Sequence, residues 1–133
     1  MKKIVASAIV AASLSPAISS ACTFNYQVYG NTAIKERIDA EISKKVTDEY
    51  CKKYNKEYQI VIITSAFTSS KQSLGYAIVG FRKRGTKDVP ANARSGYWLR
   101  DGNYAIGVAY DMAASTALDH IVDAMSDIPS YLN

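Results

Sequence analysis

"GYWLRDGNYAIGVAY", residues 96–110, is the stretch on which the fold turns. Its centre, Asp101-Gly102, is the dipeptide favoured by a two-residue type I′ turn, because both central residues there need positive φ. Taken as a hairpin, the turn sets Arg100 against Asn103, Leu99 against Tyr104, Trp98 against Ala105 and Tyr97 against Ile106. One face then gathers Tyr97, Leu99, Tyr104, Ile106, Val108 and Tyr110, which should point at the helices. The other face carries Trp98 and Arg100 over Ala105 and Gly107.

Working back from the hairpin, "LGYAIVGF" (residues 74–81) and "EYQIVIIT" (57–64) are β-branched and aromatic runs of strand length. A polar Ser/Thr/Lys loop, 65–73, separates them, and "RKRGTKDVPANAR" (82–94), with Gly85 and Pro90, reads as a long charged loop. Both strands are apolar on both sides: Tyr58, Ile60 and Ile62 against Val61 and Ile63, then Tyr76 and Ile78 against Ala77, Val79 and Phe81. Helices on one side only would leave one apolar face open.

Ahead of these strands, Ile34, Ile38, Ile42, Val46, Tyr50 and Tyr54 recur every four residues, predicting a single helix of about six turns. Asn31 or Thr32 can cap it. "TFNYQVYG" before it alternates Phe24, Tyr26 and Val28 with polar residues and reads as a short strand. After the hairpin comes a second helix, capped by Asp111 or by Thr116 with Asp119 three residues on. Leu118, Ile121, Val122 and Met125 form its apolar stripe, and Pro129 ends it. The predicted fold is a two-layer α+β domain, β-α-β-β-β-β-α. It has a four-stranded antiparallel meander, a long N-terminal helix, a C-terminal helix, and a first short strand added at an edge.

Residues 1–21 have the parts of a secretory signal: Lys2 and Lys3, the uncharged apolar run 4–14, the helix breaker Pro16, and small Ser19-Ser20-Ala21 before Cys22. Cleavage there leaves a single domain, 22–133. Removing Lys2 and Lys3 lowers the net charge from +4 to +2, too near balance to indicate nucleic acid. In an exported chain the two cysteines favour a Cys22–Cys51 disulfide. The lesser reading is an outer-membrane lipoprotein anchored at Cys22, but Ser19 stands where lipoprotein signals usually place Leu. The protein is expected to be periplasmic or secreted.

His120 is the one histidine, placed by this reading on a polar helix side with Thr116, Asp123 and Asp127. Such a group can hold a metal or serve catalysis, but ligand spacing of this kind is common on solvated helices. No nucleophile turn, glycine-rich phosphate loop or CxxC pair appears, so no cofactor or metal is expected. The candidate contact surface combines Trp98 and Arg100 with the basic loop Arg82, Lys83, Arg84 and Lys87, and with Arg94. The loop can hold anionic lipid, lipopolysaccharide or an acidic partner patch.

These readings predict a small exported, non-enzymatic protein that binds another protein, such as an inhibitor of an envelope-acting enzyme or toxin. The alternatives are an envelope assembly component that self-associates, and, behind both, a small hydrolase or metal-dependent enzyme using His120.

Overall fold

The β1 strand, Tyr26–Tyr29, lies parallel to β2, Tyr58–Thr68, with Val28 opposite Ile62. Parallel neighbours need a crossover, and the intervening helical segment supplies it. β2 then pairs antiparallel with β3, Gln72–Lys83, and β3 with β4, Ala93–Asp101, in the order β1-β2-β3-β4. The structure, a computed structural model, describes residues 22–132. The expected leader, 1–21, lies outside the described residues.

The domain is therefore α+β, but its sheet is mixed rather than a purely antiparallel meander. Asp101-Gly102 does not close a hairpin. β4 ends at Asp101, and after a short extended link the chain forms α3, Ile106–Ser126. Gly102, at φ +119°, bends the chain away, donates its N–H to Lys71 O and lies under the Tyr104 ring. The misleading feature is that Ile106, Val108 and Tyr110 satisfy a period of two and Ile106 and Tyr110 also satisfy i, i+4. The buried series Ala109, Met112, Ala113, Thr116, Ala117, Ile121, Ala124 and Met125 continues only as a helix. α3 has no side-chain cap at its start, Ala105. Asp111 pairs with Arg37 of α1, and Thr116 bonds to Met112 O, so neither expected cap residue caps.

The long first helix is also broken. α1 spans Thr32–Glu41, a 3₁₀ turn comes next at Ile42–Lys44, and α2 spans Asp48–Lys53. Asn31 caps α1, accepting from Ala33 N at 2.8 Å. Thr47 takes an extended conformation and accepts from Tyr50 N, while Asp48 and Glu49 in the next turn favour a new helix N-terminus. The four-residue stripe survives the break: Ile34, Ile38, Ile42 and Tyr50 are all buried. Two predicted loops shrink. β2 and β3 meet at a turn organised by the Ser69 hydroxyl, which accepts from Lys71 N and Gln72 N. β3 also runs on through Arg82 and Lys83.

α1 and α3 pack together, and their buried residues share one core with Ile60, Ile62, Ala77, Val79 and Phe81. The two longer helices thus cover the same side of the sheet. Cys22 and Cys51 form a disulfide with Cα atoms 5.8 Å apart, tying the chain before β1 to α2. With its sulfur in that bond, Cys22 has no thiol for a lipid. A short α4, Ile128–Tyr131, closes the described chain, with Pro129 in its first turn instead of ending α3.

Candidate functional site

β4 is an edge strand of nine residues, and eight of them are exposed. Tyr97 is 67% exposed, Trp98 49% and Leu99 44%, an uncommon run of large apolar groups to leave in water.

The glycine neighbours of β4 identify its two faces. A Cβ added to Gly75 would sit 2.2 Å from Ala113 N, and one added to Gly96 would sit 2.8 Å from His120 Nε2. Both positions therefore point at α3. Directly opposed residues share a face, so Trp98, opposite Gly75, lies on the helix side with Arg94 and Arg100. Tyr97, opposite Tyr76, and Leu99, opposite Leu74, lie on the bare side, which Leu74 shares with Phe67 across β2. This reverses the expectation that Tyr97 and Leu99 would meet the helices. Trp98 does stand over a glycine, but it is Gly75 rather than Gly107.

The register also sets the direction of the peptide groups. Gly102 N bonds to Lys71 O, one step beyond the Gln72–Asp101 pair. Hydrogen-bonded pairs alternate in an antiparallel ladder. Arg94, Gly96, Trp98 and Arg100 therefore turn their peptide groups toward β3. Ser95, Tyr97, Leu99 and Asp101 turn theirs to the free edge. The Arg84 N bond to Glu57 O on the other side of β3 requires the same phase.

The predicted site residues divide into three places. Arg94, Trp98 and Arg100 share β4. Arg94 Nε lies 3.6 Å from Asp123 of α3, and Arg100 stacks 4.5 Å from the Tyr104 ring centre. Arg84 is tied to the end of α2, donating to Asn55 Oδ1 at 2.7 Å and Tyr58 O at 3.3 Å, and exposed Lys83 precedes it. Arg82 is not a loop residue. It is buried in β3, on the bare side opposite Gln59, with Lys87 of the next loop lining a nearby cleft. The six cations and Trp98 do not form one surface.

His120 is not on a solvated face. Its side chain is only 13% exposed, and neither ring nitrogen has a hydrogen-bond partner among the described residues. The nearest carboxylate oxygen, Asp123 Oδ2, is 4.0 Å from Nδ1. Burial holds its pKa below the ordinary value, aided by Arg94 and opposed by Asp123 and Asp119. Among the described residues, no group of three or more His, Cys, Asp or Glu is placed to hold a metal. No described helix is long and apolar enough to cross a membrane.

Tyr97, Leu99 and Phe67, none of them among the expected contact residues, are exposed on the bare side. A usable signal was present: Gly75 and Gly96, glycines inside strands, mark close approach by another element. No protein-family model matches the chain, and no curated protein matches it in sequence.

Proposed function

We propose that this protein is an exported, non-enzymatic binding domain that engages another protein by strand addition at β4. The observation that carries this reading is the free edge of β4, with the outward peptide groups of Ser95, Tyr97, Leu99 and Asp101 between exposed Tyr97, Trp98 and Leu99. In strand addition, main-chain bonds supply affinity and alternate side chains supply specificity. Here Trp98 offers the anchor on one face, Tyr97 and Leu99 on the other. The disulfide suits an oxidising compartment, periplasmic or extracellular. An inhibitor of an envelope enzyme or toxin is the role that fits a small, covalently tied scaffold with an open edge.

The backbone phase supplies the test. Leu99→Pro removes an N–H that faces the edge, so the β3–β4 ladder keeps its bonds while an added strand loses one. A photo-reactive phenylalanine analogue at Tyr97, in the expressing cell, should capture a stoichiometric partner. That capture should be lost in Leu99→Pro, and Trp98→Ala should weaken binding by about 2 kcal/mol or more. Capture indifferent to Leu99→Pro but abolished by Lys83→Glu with Arg84→Glu would move the site to the basic segment.

Self-association through the same edge is the second reading, because one register brings no like charges into opposition. Two antiparallel β4 strands with Trp98 on the dyad place Tyr97 opposite Leu99 and Ser95 opposite Asp101. Centring on Tyr97 sets Arg94 opposite Arg100 and is disfavoured. Sedimentation of the purified protein separates the two readings.

A further inference from the structure

Arg82 presents an unbalanced charge. It is 8% exposed, and all its hydrogen-bonding partners are neutral. Nη1 donates to the Tyr29 hydroxyl at 3.2 Å, and Nη2 donates to Gln27 Oε1. Gln59, in the amide orientation that both groups require, accepts from Nη2 at 2.9 Å and from Nε at 2.5 Å. The Tyr29 ring centre lies 5.8 Å from the guanidinium. Arg82 belongs to none of the ion pairs among the described residues. A guanidinium stays charged, and a buried charge without a counter-charge is costly. Among the described residues four of its five N–H groups are engaged, which leaves one on Nη1.

A cleft adjoins this charge. The loop after β3 folds back over the bare side of the sheet, seating Pro90 where a side chain on Gly80 would stand. Between loop and sheet is a space of about 250 Å³ with Val61, Ile63 and Val89 as its apolar wall. Arg82, Lys87 and Asp88 are its charged groups, two cations and one carboxylate. The net charge of the lining is thus one positive unit, which a monoanion would neutralise. The volume lies below the roughly 300–1,000 Å³ of pockets for drug-sized ligands, so the occupant has few atoms.

We propose that this cleft binds a small aliphatic monocarboxylate. The carboxylate takes the remaining Arg82 Nη1 hydrogen and the Tyr29 O–H, whose oxygen already accepts from Arg82. Lys87 adds a charge at the rim, and the hydrocarbon lies along Val61, Ile63 and Val89. The cleft lies on the bare side over β1, β2 and the end of β3, away from Tyr97, Trp98 and Leu99, and stands independently of the binding role proposed there.

Calorimetric titration of the purified protein with sodium hexanoate, at fixed ionic strength, should show one saturable site. The methyl resonances of Val61, Ile63 and Val89 should shift with the same isotherm. Arg82→Met should abolish binding in a protein with native circular dichroism. Because that change can also unfold the chain, two substitutions on the exposed loop carry the test independently. Lys87→Glu should weaken hexanoate about tenfold, and Asp88→Asn should tighten it, both at unchanged thermal midpoint. The proposal is overturned by absence of saturable hexanoate binding, by equal affinity for neutral 1-hexanol, by tighter binding of inorganic phosphate at this site, or by affinity indifferent to Lys87→Glu.

Discussion

The two faces of the sheet differ in a way that hydrophobicity alone does not explain. Where α3 crosses, the helix side of β3 and β4 presents Ser73, Gly75, Ala77 and Gly96, all small, while Val79 and Phe81 lie further along β3 and Trp98 stands at the edge. On the other side they present Leu74, Tyr76, Ile78, Tyr97 and Leu99, with Phe67 of β2 beside them. Around this crossing, the bulkier and more apolar set is the one on the bare side. Ser73, Gly75 and Ala77 are buried, whereas Leu74, Tyr76 and Ile78 are half-buried and Tyr97 and Phe67 exposed. Shape decides this. α3 approaches β3 so closely that a Cβ at Gly75 would strike its backbone, and its own alanines at 109, 113, 117 and 124 allow that approach. Close packing of this kind fills space to crystal-like density. A larger side chain at Gly75 or Gly96 would hold α3 away.

The largest difference between the two faces should come from truncating adjacent residues of β2. Ile62, fully buried, faces the helices, while Ile63 is half-buried on the other side. Ile62→Ala should cost about 2–5 kcal/mol in urea unfolding, because it leaves a cavity in the core. Ile63→Ala should cost about 1 kcal/mol or less, since part of that side chain is already hydrated. Equal costs would mean that the bare face is covered in solution.

A smaller effect sharpens the role of shape. Gly75→Ala should destabilise by about 3 kcal/mol, the upper end for overpacking, because its methyl meets the Met112–Ala113 backbone. Gly80→Ala presses instead on Pro90 of a surface loop, and should cost about 1 kcal/mol, the lower end. Thermal unfolding of the two variants should rank them in that order.

The smallest effect concerns His120, where α3 meets β4. Its folded pKa lies below the ordinary 6.5 because burial disfavours the charged ring. As pH falls, the unfolded chain therefore binds the proton first. The contribution of neutral His120 should be complete above about pH 6.5 and decline as pH falls through that value toward the lower folded pKa. Urea midpoints at pH 7.5 and 5.5 should differ less in His120→Leu than in the parent. An identical difference would show that the ring is hydrated in the folded state.

Local signals were legible wherever one residue could settle the matter. Asn31 as a cap, the Ile34-to-Tyr50 stripe and the Cys22–Cys51 pairing are all present in the structure. The charged residues of the candidate site were less legible. "RKRGTK" reads as a solvated run, yet Arg82 is still in β3 with its head under a loop, because strand pairing continues to Lys83 opposite Tyr58. His120 looked solvated because its helical neighbours are polar. Its burial comes from Gly96, on another element.

Two strands of mixed apolar character after a helical segment with one buried stripe, and a chain bend at Asp101-Gly102, can be read from the amino acids alone. Those properties depend on propensity, capping and spacing within a few turns of chain. The conformation beyond the bend was settled by packing, since residues 104–110 fit a strand as well as the first turn of a helix. The choice depended on Ala109, Met112 and Ala113 finding the seat made by Gly75 and Ala77, more than thirty residues away in sequence. The same docking decided which face of the sheet stays bare. A period of two records that a strand has two faces, but it does not record which one the helix will reach.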